Sequence, residues 1–98
     1  MPHIIYTPKA LDDLIRLANF LKTRSPEAAK RAIAAIKSDI EKAQIYPQRF
    51  RPVPEMPHYR EIVIDFGSYG YVVRFRHEAG GDLYVVRIKH QREDGFES

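Results

Sequence analysis

The pattern of apolar and polar positions predicts two helices in the first half of this 98-residue chain. In residues 7–22, apolar side chains recur at helical spacing and are expected to form one buried face: Leu11, Leu14, Ile15, Ala18 and Leu21. In residues 25–43 the apolar seam is narrower: Ala29, Ile33, Ile36, Ile40 and Ala43. Each stretch begins with a hydroxyl residue followed by proline, Thr7-Pro8 and Ser25-Pro26, which is typical of a helix start. A connection of roughly three residues then predicts an antiparallel helical hairpin.

Alternation with a period of two predicts four strands, one before the helices and three after them. The first is residues 4–6, and the others cover residues 60–66, 69–76 and 83–90. In the last strand, alternation separates Tyr84, Val86, Ile88 and His90 from Leu83, Val85, Arg87 and Lys89. Residues 47–58 contain four prolines, so we expect an extended connection there, with no helix and no central strand. The order β-α-α-β-β-β over one domain, residues 1–98, predicts an α+β fold in which a helical hairpin packs on one face of a mostly antiparallel twisted sheet.

Composition narrows the possible functions. The chain has no cysteine, which excludes a disulfide framework, a thiolate metal site and a cysteine nucleophile. Its apolar runs are far shorter than the roughly 20 residues that span a bilayer, and no signal peptide is visible, so we expect a cytoplasmic protein without a membrane partner. The histidines, His3, His58, His77 and His90, are scattered without metal-ligand spacing, so we expect no metal and no cofactor.

Clustered cations near the end of the chain are the strongest candidate for function. Arg74 and Arg76 share one face of a predicted strand, and Arg87 and Lys89 share one face of the next. Arg60 and Arg92 flank these strands. On the open face of the sheet, such cations would either bind phosphate or an acidic protein surface, or simply keep that face soluble.

A ribonuclease needs a base, an acid and cations that stabilise the phosphorane. His90, the one histidine within the cationic cluster, has the residue type for a proton shuttle, and Glu61 could supply a second group. The alternative is that His90 is an ordinary surface residue at a strand end. The residues alone leave both possibilities open.

The order of several weak motifs resembles the toxins of the RelE/ParE superfamily, and within it the ParE (plasmid stabilisation) branch. The motifs are "IIYTPKALDDLIRLANFLK", "SPEAAKRAIAAI", "YPQRF", "YREIVI", "GYVVRF" and "DLYVVRIKHQRE". The resemblance implies a toxin of a type II toxin–antitoxin module that is neutralised by a cognate antitoxin protein. It also implies growth arrest as the effect of the toxin, and contact with operator DNA only indirectly, through the antitoxin.

The superfamily implies two possible activities. The ParE branch resembles a non-enzymatic inhibitor of DNA gyrase, whereas the RelE branch resembles a ribosome-dependent mRNA endonuclease with sheet cations and commonly a tyrosine near the C-terminus. This tail has Phe96 and no tyrosine, so we expect a gyrase inhibitor without catalytic residues. Its expected target-binding residues are Arg60, Arg74, Arg76, Arg87, Lys89, His90 and Arg92. In the alternative hypothesis, an endonuclease acting on ribosome and mRNA, the catalytic residues are Arg76, Lys89, His90 and Arg92. A third hypothesis is an inactive or regulatory binding module of the same fold.

Overall fold

The computed structural model describes residues 2–67 and 69–93. Its elements are β1 (Ile4–Tyr6), α1 (Pro8–Lys22), α2 (Pro26–Ile45), a 3₁₀ turn (Pro47–Arg49), β2 (Arg51–Val53), β3 (Met56–Phe66), β4 (Tyr69–His77) and β5 (Leu83–His90). Within the described residues these strands form one five-stranded sheet in the order β1-β5-β4-β3-β2. β1 runs parallel to β5, and the other neighbours are antiparallel. The α+β prediction is confirmed.

Local sequence signals place the two helix starts correctly. The Thr7 hydroxyl accepts a hydrogen bond from the backbone N–H of Ala10 at 3.2 Å, and the Ser25 hydroxyl accepts one from Ala28 at 3.1 Å. Each cap satisfies an N–H group that has no partner within the helix, and the proline that follows has no N–H to satisfy.

The proline-rich connection is more ordered than predicted. Pro47–Arg49 forms a 3₁₀ turn, and Arg51–Val53 forms a fifth strand at the edge of the sheet. β3 begins at Met56, earlier than expected, because its first residues pair with β2. Proline is tolerated in these positions because an edge strand has one side without ladder hydrogen bonds.

The buried face of α1 is rotated from the predicted one. Ala10, Asp13 and Leu17 are buried, whereas Leu11 and Ile15 are 47% and 59% exposed. The predicted seam of α2 is confirmed in four of its members, and Ile33 is only partly buried. The largest fully buried side chains lie between the helices and the sheet: Phe75, Ile36, Ile40, Ile62, Leu83, Ile88, Val73 and Val85. Each contributes about 1.5–3 kcal/mol through removal of its apolar surface from water.

A β-bulge changes the two faces of β5. Arg74 pairs with Arg87 and the next residue, Phe75, pairs with Val85, so Val86 is an extra residue on β5. Leu83 and Val85 face the core before the bulge, and Ile88 faces it afterwards. The predicted alternation, which put Ile88 opposite to Leu83 and Val85, was therefore wrong. In the part of the chain that the structure describes, neither helix has the length and apolar character needed to cross a membrane.

Candidate functional site

The pairing of β3, β4 and β5 brings most of the predicted cations onto the sheet face that the helices leave uncovered, the open face. Arg74 lies opposite Glu61 on β3 and Arg87 on β5. Lys89 lies opposite Val72, on the same side of the sheet as Arg74 and Arg76. The predicted gathering of cations from two strands is thus present in the structure, with a carboxylate from a third strand inserted among them.

Arg74 is held by Glu61. Its Nη2 and Nε atoms donate to Glu61 Oε2 at 2.9 Å and 3.2 Å, and Arg51 Nη2 donates to the other carboxylate oxygen at 3.0 Å. The Glu61 side chain is only 12% exposed. Because one carboxylate lies between two arginines, much of the local positive charge is offset within the protein itself.

Arg76, further along β4, contacts an acidic and an aromatic side chain. Its Nε atom lies 2.6 Å from Glu78 Oε1, and its guanidinium carbon lies 4.9 Å from the centre of the Tyr84 ring. A hydrogen bond to Tyr59 is the main cause that raises the pKa of Arg76, and the charge of Glu78 adds to it. Arg76 is therefore a permanent cation whose orientation is set by two neighbouring strands.

Arg87 turns away from the other arginines to a buried carboxylate on α1. Its Nε atom donates to Asp13 Oδ2 at 2.9 Å, and its Nη2 atom lies 3.4 Å from Oδ1. Asp13 Oδ2 also accepts the backbone N–H of Ile88 at 2.8 Å, and Arg16 Nη2 approaches Oδ1 at 3.4 Å. Burial without such partners would cost an ionised carboxylate several kcal/mol, and these donors compensate for it.

The turn after β5 is tied to the same region. Lys89 Nζ donates to the Glu93 carbonyl at 3.0 Å, and the Arg92 backbone N–H donates to His90 Nδ1 at 3.1 Å. The Glu93 carboxylate forms an ion pair with Arg16, whose Nη2 lies 3.3 Å from Oε2. Partial burial lowers the pKa of Arg16, but Glu93 and Asp13 outweigh that effect and raise it overall. We call Asp13, Arg16, Arg87 and Glu93 the Asp13 cluster.

Two of the predicted binding residues lie on the helix side of the sheet instead. His90 pairs with Tyr71, which is 3% exposed, and the two rings meet edge to face with their centres 5.6 Å apart. Arg60 pairs with the buried Phe75 and donates to the Phe50 carbonyl at 2.7 Å. The sheet therefore separates His90 and Arg60 from Arg74 and Arg76.

Sequence reasoning missed the pairing of Arg87 with Asp13 and of Arg74 with Glu61. Asp13 lies within the buried stripe of α1, between Ala10 and Leu17. A stripe drawn through Ala10, Leu14, Leu17 and Leu21 would have shown this acidic residue beside the core. The tail residue Phe96 lies outside the residues that the structure describes. Among residues 2–67 and 69–93, no three His, Cys, Asp or Glu side chains are grouped so as to hold a metal ion.

The outer side of the helical hairpin carries a second surface feature. A groove of about 430 Å³ has a floor of small apolar side chains and a rim of lysines. The lining residues are Ala18, Lys22, Ala29, Lys30, Ile33, Ala34 and Lys37. Leu11 and Ile15 of α1 are also exposed. A groove of this kind suits the apolar face of a helix or extended segment from another protein.

Comparison with known proteins gives three consistent findings. Residues 4–95 match the family described as "ParE toxin of type II toxin-antitoxin system, parDE". The chain is 34% identical to Toxin RelE3 of Caulobacter vibrioides over 86 residues, which is 88% of this chain and 90% of the relative. It is also 34% identical to Toxin RelE1 of the same organism over 90 residues, covering 92% and 94%. A solved structure titled "Chromosomal ParDE TA system from P. aeruginosa" has the same fold, with a TM-score of 0.72 at 22% identity, covering 92% of this chain and 96% of that one.

Proposed function

The chain belongs to the ParE toxin family of type II toxin–antitoxin systems, and on that premise we propose that it inhibits DNA gyrase without catalysis and is neutralised by a cognate antitoxin. Its role as the toxin of such a module follows from the family. The choice of gyrase over the ribosome is our proposal, and so is its action in the cytoplasm.

The arrangement of charge on the sheet carries the proposal. RNA cleavage without a metal requires a base, an acid and cations that converge on one phosphate. Here Arg74 and Arg87 are paired with Glu61 and Asp13, and His90 lies on the opposite side of the sheet from Arg74. Oriented, partly neutralised arginines suit recognition of a protein surface, where arginine is a frequent anchor.

The helical groove supports an antitoxin as partner. Its apolar floor and lysine rim are complementary to an amphipathic segment with acidic flanks. The groove and the cationic strands face different sides of the molecule, so the antitoxin segment and the target would use separate surfaces. Contact with operator DNA would then be made by the antitoxin.

The test uses purified toxin in two assays. We expect loss of gyrase supercoiling at low toxin concentration and intact mRNA in a translating extract. Cuts in mRNA phased with codons, with normal supercoiling, would overturn the proposal. No effect in either assay and no growth arrest on expression would instead favour a purely regulatory binding module.

The second candidate is a ribosome-dependent mRNA endonuclease, which the names of the relatives favour, since both are called RelE toxins. Arg76, Lys89, His90 and Arg92 would then act in catalysis. Against it, the last tyrosine in the sequence is Tyr84, within β5, so the tail offers no phenol. The translating extract decides between the two candidates directly.

A further inference from the structure

We infer that Asp13, on α1, is a positioning residue for the target-binding end of β5: it fixes Arg87 directly and the following turn through Arg16. The inference rests on the proposed function only in taking Arg87, Lys89 and Arg92 as target-binding residues. Asp13 itself is 5% exposed and is not expected to touch the target.

The first step concerns the edge of β5. β1 pairs with β5 only as far as Tyr6 opposite Val85. Thr7 then continues the contact, because its N–H donates to the Val85 carbonyl at 3.1 Å and its hydroxyl donates to the Val86 carbonyl at 3.2 Å. Beyond that point the chain continues as α1 and no longer pairs with β5. There the Asp13 carboxylate accepts a hydrogen bond from the backbone N–H of Ile88, on the same edge of β5. The Asp13 carboxylate therefore does for β5 what a neighbouring strand does elsewhere in a sheet.

The second step concerns the direction of Arg87. The bulge at Val86 gives β5 an extra residue beside Arg87 and a local kink. The Arg87 side chain, 21% exposed, then meets the Asp13 side chain, 7% exposed, through its Nε atom. A long side chain with several rotatable bonds is thus held in one orientation by a carboxylate that is itself fixed by Ile88.

The third step concerns the turn after β5. Arg16 lies one helical turn after Asp13, contacts it, and forms the ion pair with Glu93. The Glu93 carbonyl in turn receives Lys89 Nζ. The arrangement of Lys89 therefore depends on the same cluster as that of Arg87, although the two side chains project from different positions on the strand.

A merely structural role and a positioning role make different predictions. If Asp13 only stabilises the fold, its loss lowers the amount of folded toxin but not the potency of each folded molecule. If Asp13 acts through Arg87, its loss lowers potency, and this effect disappears once Arg87 has been replaced. Asp13→Asn is suited to the comparison because the amide oxygen can still accept the Ile88 N–H while the charge is removed.

The experiment is a double-mutant cycle of Asp13→Asn and Arg87→Gln in the full chain. The potency of each variant is measured as the toxin concentration that halves supercoiling and as the expression level that arrests growth. Both values are corrected for the folded fraction from circular dichroism. We expect Asp13→Asn to weaken the toxin about tenfold in the wild-type background and less than about twofold in the Arg87→Gln background. Asp12→Asn, the same charge change at an exposed neighbouring position, is the control and should not change potency.

Additive effects of the two substitutions, or wild-type potency of folded Asp13→Asn toxin, would overturn the inference. If Asp13→Asn does not fold, Asp13→Glu replaces it in the cycle, because it keeps the charge and displaces the carboxylate by one methylene. A non-additive cycle in growth arrest together with unaffected supercoiling would refute gyrase as target and leave the positioning role intact. Inhibited supercoiling with an additive cycle would support gyrase as the target and refute the positioning role of Asp13.

Discussion

Glu61 is the residue whose replacement most directly tests the charge arrangement of the open face. Glu61→Gln keeps the size of the side chain but removes the negative charge between Arg51 and Arg74. The amide of the variant has one oxygen that can accept hydrogen bonds from one arginine. Its NH₂ group, which can only donate, must face the guanidinium of the other arginine. We therefore expect the variant to fold with lower stability and to expose a more positive sheet face.

The magnitude follows from the contacts. Arg74 makes two hydrogen bonds to Glu61 Oε2, and both side chains are largely shielded, at 21% and 12% exposure. A hydrogen bond to a charged group contributes about 1 kcal/mol more than a neutral one, so the two together predict a loss of about 2 kcal/mol. Arg51 is 59% exposed, and its pair with Glu61 contributes little because solvent screens it.

Urea unfolding followed by circular dichroism measures the loss. With a slope of roughly 1.5 kcal/mol per molar urea, the midpoint should fall by about 1.3 M. Glu78→Gln is the matched control: its ion pair with Arg76 is more exposed, at 44% and 35%, and should move the midpoint by less than about 0.4 M. Equal shifts of the urea midpoint for the two variants would refute the idea that Glu61 stabilises the open face more than Glu78 does.

Three further predictions concern the target surface, the start of β4 and the pH dependence of stability. Replacing Lys89 and Arg92 together with alanine should weaken supercoiling inhibition without lowering the unfolding midpoint by more than about 0.5 M urea, since both side chains lie near the surface; unchanged inhibition would remove them from the target surface. Gly70→Ala should destabilise the protein by about 1–3 kcal/mol in thermal unfolding, because a Cβ would overlap the backbone carbonyl of Ile64; a wild-type melting temperature would contradict this close approach. Burial raises the pKa of Tyr71 above the usual 10.0, so the unfolded chain ionises first and stability is lost as the pH rises above that value. Tyr71→Phe should therefore make the stability of the protein less sensitive to pH over about one unit above the ordinary tyrosine pKa, and an unchanged slope would contradict this effect of burial.

The parts of the fold that depend on neighbours in sequence could be predicted, and those that depend on distant partners could not. Thr7 and Ser25 each cap a helix through contacts three residues away, so the sequence contains the whole signal. The bulge at Val86 depends on how β5 aligns with β4, which alternation along a single strand does not reveal. The edge strand at Arg51–Val53 forms because β3 offers it a partner, despite the unfavourable intrinsic preference of Pro52.

The candidate site shows the same division. The cations themselves were visible as residue types at alternating positions, and the structure brings Arg74, Arg76 and Lys89 to one face. The neutralisation of Arg87 was not visible, because Asp13 lies 74 positions before it in the chain. Hence the sequence predicts where positive charge is carried, but the structure is needed to tell how much of it is offset.

The pairing of β1 with β5 has a consequence for the timing of synthesis. The helical hairpin needs only the first half of the chain, but β1, Thr7 and Asp13 all take partners between Leu83 and Ile88. At a typical 5–20 residues per second, the ribosome takes about 4–16 s to synthesise the chain between Ile4 and its partner Leu83. The sheet consequently cannot include β1 until β5 has been synthesised. In the order of synthesis, the helical hairpin therefore precedes the closed sheet, and the outer edge of β5 has its side-chain partner Asp13 waiting on α1.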